Sequence, residues 1–327
     1  MLPSAKPLYE VASAVSLGKR ALQEDALITD FPIGSEFGFA VLADGMGGHA
    51  AGDVASKIVV TEVFRDLKLH SGQPERLEDH IGDVLRHSMQ AANNRVQDHS
   101  GRSPETAGMG ATLVAPVFFE NRLYWISVGD SPLYLFRGDY LVQLNEDHSM
   151  APQFDYLARS GMMESEEAEN HPDRNCLTSV LIGDRVPRID CPAEPVQLMP
   201  GDILVVSSDG LQFLTDKQIA SLLKLHGQKP SSEIVEILLR QIDNLNDPDQ
   251  DNVSFSVIKF HGQAEAHAEA QAPAYDDLPA TAPQHDEQIG QPARTGTNSG
   301  QFTMMAQTTG KRVSVIYRDA RSARGTG

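Results

Sequence analysis

An α+β fold of antiparallel sheets with helices laid on their outer faces is what this chain of 327 residues predicts. Three observations carry it. Apolar segments of strand composition come in clusters separated by hairpin-sized gaps. Segments of helical period come in pairs between those clusters. The strand–helix–strand alternation that a parallel sheet requires does not run along the chain.

The strand segments are LYEVASAVSL (8–17), FGFAVLA (37–43), ATLVAPVFF (111–119), RLYWISV (122–128), PLYLF (132–136), YLVQL (140–144), DILVVSS (202–208) and VSFSVIKF (253–260). Glu120-Asn121 and Arg137-Gly138-Asp139 fill gaps of hairpin length. Ala51, Val54, Ala55, Ile58 and Val59 keep the spacing of one helix face, and similar patterns run over 77–98, 217–225 and 232–245. From about 147 to 175 the pattern degrades into polar residues without a period, which reads as a mobile inserted lobe. After Phe260 the composition turns to Ala, Gln, Pro, His and Thr, too polar to order itself. The expected division is a folded domain over 1–261 and a disordered tail over 262–327, whose basic end, KRVSVIYRDARSAR, could instead dock a partner or add a strand.

With 40% hydrophobic residues the chain can bury a sizeable core, while a formal net charge of -18 argues against binding nucleic acid or an anionic membrane. Cys176 and Cys191 form no paired motif and read as reduced thiols. The N-terminus lacks a signal-peptide core, and no run approaches the length of a membrane span. A cytoplasmic protein is expected.

Acids recur where apolar strands end. Asp44 follows FAVLA, Asp130 closes ISV, Asp209 follows ILVVSS, Asp251 precedes VSFSVI, and Glu24 and Asp25 come after the first strand. Each alone reads as a turn residue. Together, without compensating lysines, they suit a hard divalent cation, Mg²⁺ or Mn²⁺. The string GMGGHA (45–50) also matches a dinucleotide fingerprint. Asp44 would direct a negative charge at the pyrophosphate, however, and no second parallel strand follows the helix. The glycines are better explained by a close approach of the Gly45 carbonyl to a cation. Ser207 and Ser208 read as strand-end residues rather than nucleophiles.

In series, R-x-x-Q-E-D (20–25), DGMGGH (44–49), GATLV (110–114), GDS (129–131), NEDHS (145–149), SDG (208–210) and DNVS (251–254) resemble the PPM, or type 2C, metal-dependent Ser/Thr protein phosphatases of bacterial type, over about residues 8–260. The resemblance implies a four-layer α-β-β-α fold: a central β-sandwich of two antiparallel sheets flanked by helix pairs, with a flap beside the site. It makes Asp44 the acid bridging two metals, with the Gly45 carbonyl on the second. It places Asp209 and Asp251 on the first metal, Asp25 helped by Glu24 near the second, and Asp130 with Asp209 on a third, weaker ion. Arg20 becomes the phosphate-binding residue and His49 the general acid. The implied reaction is direct attack of a metal-bridging water or hydroxide on phosphoserine or phosphothreonine in the targets of a Ser/Thr kinase, by a monomer. The alternatives are an inactive binding module of the same fold and an esterase acting on small phosphates or nucleotides. Pro132 stands where the family commonly has arginine, and Gln23 where asparagine is common. His148 and His171 are expected to serve the flap structurally.

Overall fold

A computed structural model describes residues 7–47, 51–102, 104–262 and the backbone of 315–318. Its strands are β1 (Tyr9–Ser16), β2 (Asp25–Asp30), β3 (Phe37–Met46), β4 (Gly110–Ala111), β5 (Leu113–Phe119), β6 (Arg122–Val128), β7 (Leu133–Arg137), β8 (Tyr140–Gln143), β9 (Val196–Gln197), β10 (Ile203–Ser207), β11 (Val253–Phe260) and β12 (Val315–Arg318). Its α-helices are α1 (Ala51–His70), α2 (Pro74–Glu78), α3 (Ile81–Ser100), α4 (Ala151–Arg159), α5 (Ser165–Glu169), α6 (Asp216–His226) and α7 (Ser231–Leu245). One sheet has the order β12-β1-β11-β10-β7-β8 and the other β2-β3-β5-β6-β9, with β4 paired to β3. All pairings are antiparallel except that of β12 with β1.

Strand alternation explains why FAVLA is apolar at every position. Phe39, Val41 and Ala43 face outward, where Val59 and Val63 of α1 and Leu85 and Met89 of α3 cover them. Ala40 and Leu42 face inward, into a layer shared with Val114, Phe118, Leu204 and Ile258 between the two sheets. On the other outer face, Ile219 and Leu223 of α6 and Leu238 and Ile242 of α7 cover Val205, Phe255 and Val257. The sandwich flanked by helix pairs is therefore observed. The same alternation puts Asp44 on the inward side with Leu42, at the end of the inter-sheet layer.

The structure also departs from the sequence reading. Asp25 opens a strand, β2, rather than trailing the first one. The helix expected over 77–98 breaks at Asp79-His80 into α2 and α3. The segment without a period holds α4 and α5, closed by an Arg174–Asp155 ion pair of 2.7 Å and by His171 stacked on Phe154. Of the tail expected to be disordered, Val315–Arg318 pairs with Ser13–Ser16 of β1; the rest of that expectation lies outside the described residues.

Candidate metal centre

The strand ends at one edge of the sandwich bring the acids together. Asp25 and Asp44 are direct cross-strand partners on β2 and β3. Like charges placed so are destabilising unless something shares them. Asp209 follows β10 and Asp251 precedes β11, the two strands that neighbour each other in the facing sheet. Burial pushes the Asp25 carboxyl up to about 7, with the Asp209 and Asp251 charges adding to the rise and the hydrogen bond from Ser208 opposing it. Burial also raises Asp44 well above the carboxylate range, helped by Asp25, Asp209, Asp130 and Asp251. Asp130 is pushed up to about 7 by burial and then by Asp209 and Asp147, and Asp209 is raised by burial and then by Asp251. One oxygen of Asp25 and one of Asp209 are buried without a hydrogen-bond partner. Among the described residues, no lysine or arginine forms an ion pair with Asp25, Asp44, Asp130 or Asp209.

Main chain and neutral side chains hold these acids in place. The Asp44 N–H donates to Thr112 Oγ1 at 2.9 Å, and the Thr112 N–H returns a bond of 2.8 Å to the Asp44 carbonyl. Ser208 Oγ donates to Asp25 Oδ2 at 2.8 Å, which gives that strand-end serine a supporting part. Gly45 is required by close approach: a Cβ there would lie 2.1 Å from the Gly52 carbonyl oxygen and 2.6 Å from that of Glu24. Glu24 faces the same helix start and accepts a hydrogen bond from the Gly52 backbone in the first turn of α1. That contact gives Glu24 a partner the sequence did not suggest.

Arg20 donates to Asp251 Oδ2 at 2.5 Å, and its side chain is 54% exposed. Its loop is pinned by Asn252, a residue the sequence reading passed over. Asn252 Nδ2 donates to the carbonyls of Leu17 and Leu22 at 3.0 Å each, and its Oδ1 accepts the Glu24 N–H at 2.7 Å. Gln23 keeps order at the start of β2, donating to the Ser16 carbonyl and accepting the Asp25 N–H. Pro132 leaves β7 to begin at Leu133, and its carbonyl accepts the Ser207 N–H at 3.0 Å. His49 lies outside the described residues.

Among the described residues, no three His, Cys, Asp or Glu side chains already enclose a metal-sized point. Arg20 holds Asp251 in an ion pair. Buried, unpartnered oxygens on hard ligands and a backbone cradle that excludes any Cβ fit a divalent cation nonetheless.

The protein phosphatase 2C family profile matches residues 17–247. The chain belongs to that family. It is 29% identical over 242 residues to a putative protein phosphatase 2C-type of Streptococcus pyogenes, covering 72% of this chain and 94% of that one. It is 30% identical over 220 residues to the serine/threonine phosphatase stp of Listeria monocytogenes, covering 67% and 83%. Among solved structures it resembles the Mycobacterium tuberculosis serine/threonine phosphatase PstP/Ppp, with a TM-score of 0.64 and 28% identity over 77% of this chain and 99% of that one. The catalytic domain of PstP in complex with two manganese ions gives a TM-score of 0.61 and 28% identity, covering 77% and 97%.

Proposed function

We propose that this protein is a Mn²⁺- or Mg²⁺-dependent phosphatase that removes phosphate from phosphoserine and phosphothreonine in proteins. The observation that carries the reading is the row of carboxylates at one edge of the sandwich, Asp25 buried and the others half-buried, which among the described residues pair with no cation except where Arg20 meets Asp251. Asp44, the Gly45 carbonyl, Asp209, Asp251 and Asp25 are assigned to two ions, with Glu24 supporting the second and Asp130 joining Asp209 on a weaker third. When bound, the ions supply Lewis-acid charge at the phosphoryl oxygens and acidify a water for attack.

The chain's own residues do the rest. Arg20 grips two phosphoryl oxygens with its planar fork. Its present partner, Asp251, is itself an assigned ligand, so a cation held there would compete with Arg20 for that carboxylate and leave the guanidinium available to substrate. Asn252 holds the loop that aims it. His49 protonates the departing serine or threonine oxygen, a poor leaving group as an alkoxide. His49→Ala should therefore slow phosphopeptide hydrolysis more than aryl phosphate hydrolysis, by a margin within the roughly 10² to 10⁴ of general acid catalysis. Equal losses on both substrates would withdraw the assignment.

The full set of acids stands against an inactive binding module. Targets of a Ser/Thr kinase, a monomeric state, a cytoplasmic site of action and no nucleic-acid partner complete the reading. Among the described residues no helix is long and apolar enough to cross a membrane. Residues 1–261 form the catalytic domain, and the tail from 262 docks a partner or the β1 edge. Phosphate release from a phosphothreonyl peptide, compared with nucleotides at equal concentration and with Mn²⁺ or EDTA, tests the function. Preference for nucleotides would favour the esterase alternative, and no release with Mn²⁺ the inactive module.

A further inference from the structure

We propose that Met46 and Ile182 form an apolar rest for the substrate chain, so that the enzyme favours a phosphoserine or phosphothreonine with a leucine-like side chain two residues away. The inference deepens the phosphatase reading and rests on it.

Met46 is the last residue of β3 and alone in that strand is exposed, at 41%. Strand alternation puts it on the same face as Asp44, two residues further and roughly 7 Å along the strand. Ile182, which follows Leu181, is 40% exposed. The two flank Gly110, the cross-strand partner of Met46 on β4. A Cβ at Gly110 would stand 2.6 Å from Ile182 Cγ2 and 3.5 Å from Met46 Cγ, so the glycine lets both apolar side chains close over β4 as one surface.

This surface is held firmly. The Ala111 N–H donates to the Leu181 carbonyl at 3.1 Å, and the Leu181 N–H returns a bond of 3.0 Å to the Ala111 carbonyl. On the other side of Ile182, the Gly183 N–H donates to Asn93 Oδ1 at 2.9 Å, and Asn93 Nδ2 donates to the Asp184 carbonyl at 2.7 Å. The backbone is thus fixed on both sides of Ile182, yet its side chain stays in water, where folding gains little from it and a ligand that covers it gains the burial. The position of the patch names that ligand. With the acids and Arg20 assigned to the phosphoryl group, the peptide that carries the group has to lie along their border. An extended peptide advances about 3.3 Å per residue and returns to the same face every second one. When the phosphorylated side chain stands at Asp44, the side chain two residues away therefore falls at Met46 and Ile182.

The test uses the full chain with Mn²⁺ and phosphothreonyl peptides that carry leucine, alanine or glutamine two residues before or two residues after the phosphothreonine. At one of these positions leucine should raise kcat/KM over alanine by roughly tenfold, the low end for an apolar subsite, chiefly through KM. Glutamine, of similar length but polar, should behave like alanine. Ile182→Ser and Met46→Gln should each bring the leucine peptide down toward alanine, with the alanine rate and Mn²⁺ affinity changed far less. Ile182→Val and Met46→Leu should keep the preference. Equal rates for leucine and alanine at both positions in the unmodified chain, or a preference that survives Ile182→Ser and Met46→Gln combined, would overturn the inference and leave the phosphatase reading intact. So would an equal loss on every peptide in these variants, the sign of a purely structural part. Phosphate release from none of the peptides would overturn both.

Discussion

The two ends of the β3–β5–β6 strands treat their acids in opposite ways. At the end where β3 begins, Glu78 receives two hydrogen bonds from Arg122, at Oε1 and Oε2, and a third from the Tyr124 hydroxyl at 3.1 Å. Arg122 also reaches Glu120 at 2.6 Å, and the Glu78 carboxyl is held below its ordinary pKa, chiefly by the Arg122 hydrogen bonds. At the end where β3 stops, Asp25, Asp44, Asp130 and Asp209 have no such partner among the described residues, and all are raised. A cleft of about 620 Å³ opens at the paired end, lined by Glu36, Arg76, Glu78, Glu120 and Arg122. A cleft alone would suggest a function there. Charge decides otherwise, because acids already satisfied by arginine need nothing more, whereas buried acids without a counter-charge are costly until a cation arrives.

The largest expected effect comes from the unpaired end. Asp44→Asn removes the acid assigned to both ions and should lower phosphopeptide turnover by about 10³-fold or more, several kcal/mol of transition-state stabilisation, in a chain that still folds. Near-normal turnover would break the comparison. Asn252→Ala should free the Arg20 loop and cost on the order of 10²-fold in kcat/KM, the scale of a small misplacement in a positioned group. Mn²⁺ affinity, measured alongside, should change far less; a parallel loss would mean that Asn252 serves Asp251 rather than Arg20.

The pH dependence sharpens the contrast. In metal-free protein Asp25 and Asp130 sit at about 7, against roughly 3.9 for an unfolded aspartate. Between those values the native state holds protons that the unfolded chain has lost, so stability should fall as pH rises through the window. The melting temperature in EDTA should drop from about pH 5 to about pH 7.5, and saturating Mn²⁺ should remove that slope. A melting temperature flat with pH in EDTA would contradict the reading. The smallest effect belongs to the paired end. Arg122→Met should cost about 1 kcal/mol of stability by denaturant unfolding and leave turnover unchanged. A large activity loss there would give the distal cleft a role in the reaction.

The sandwich and the acids at strand ends were legible because apolar runs such as FAVLA and ILVVS are covered on both faces and stop abruptly at a carboxylate. β2 was not, since all its residues after Asp25 are only half-buried and DALITD lacks a clean alternation. The supporting contacts were illegible for another reason. His148 finds its partners 19 and 30 residues away in Gly129 and Thr178, and Asn252 reaches 235 and 230 residues back to Leu17 and Leu22. No local pattern marks a bond of that range, although the asparagine beside Asp251 was a signal that could have been followed.

The most direct measurement of the central claim is calorimetric titration of Mn²⁺ into the full chain near pH 7, repeated in buffers of different ionisation heat and with Asp44→Asn. At least two ions should bind per chain with net release of protons, because raised carboxyls must give theirs up to coordinate a cation, and Asp44→Asn should lose the tight steps. No binding, or binding that releases no protons and is indifferent to Asp44→Asn, would contradict it.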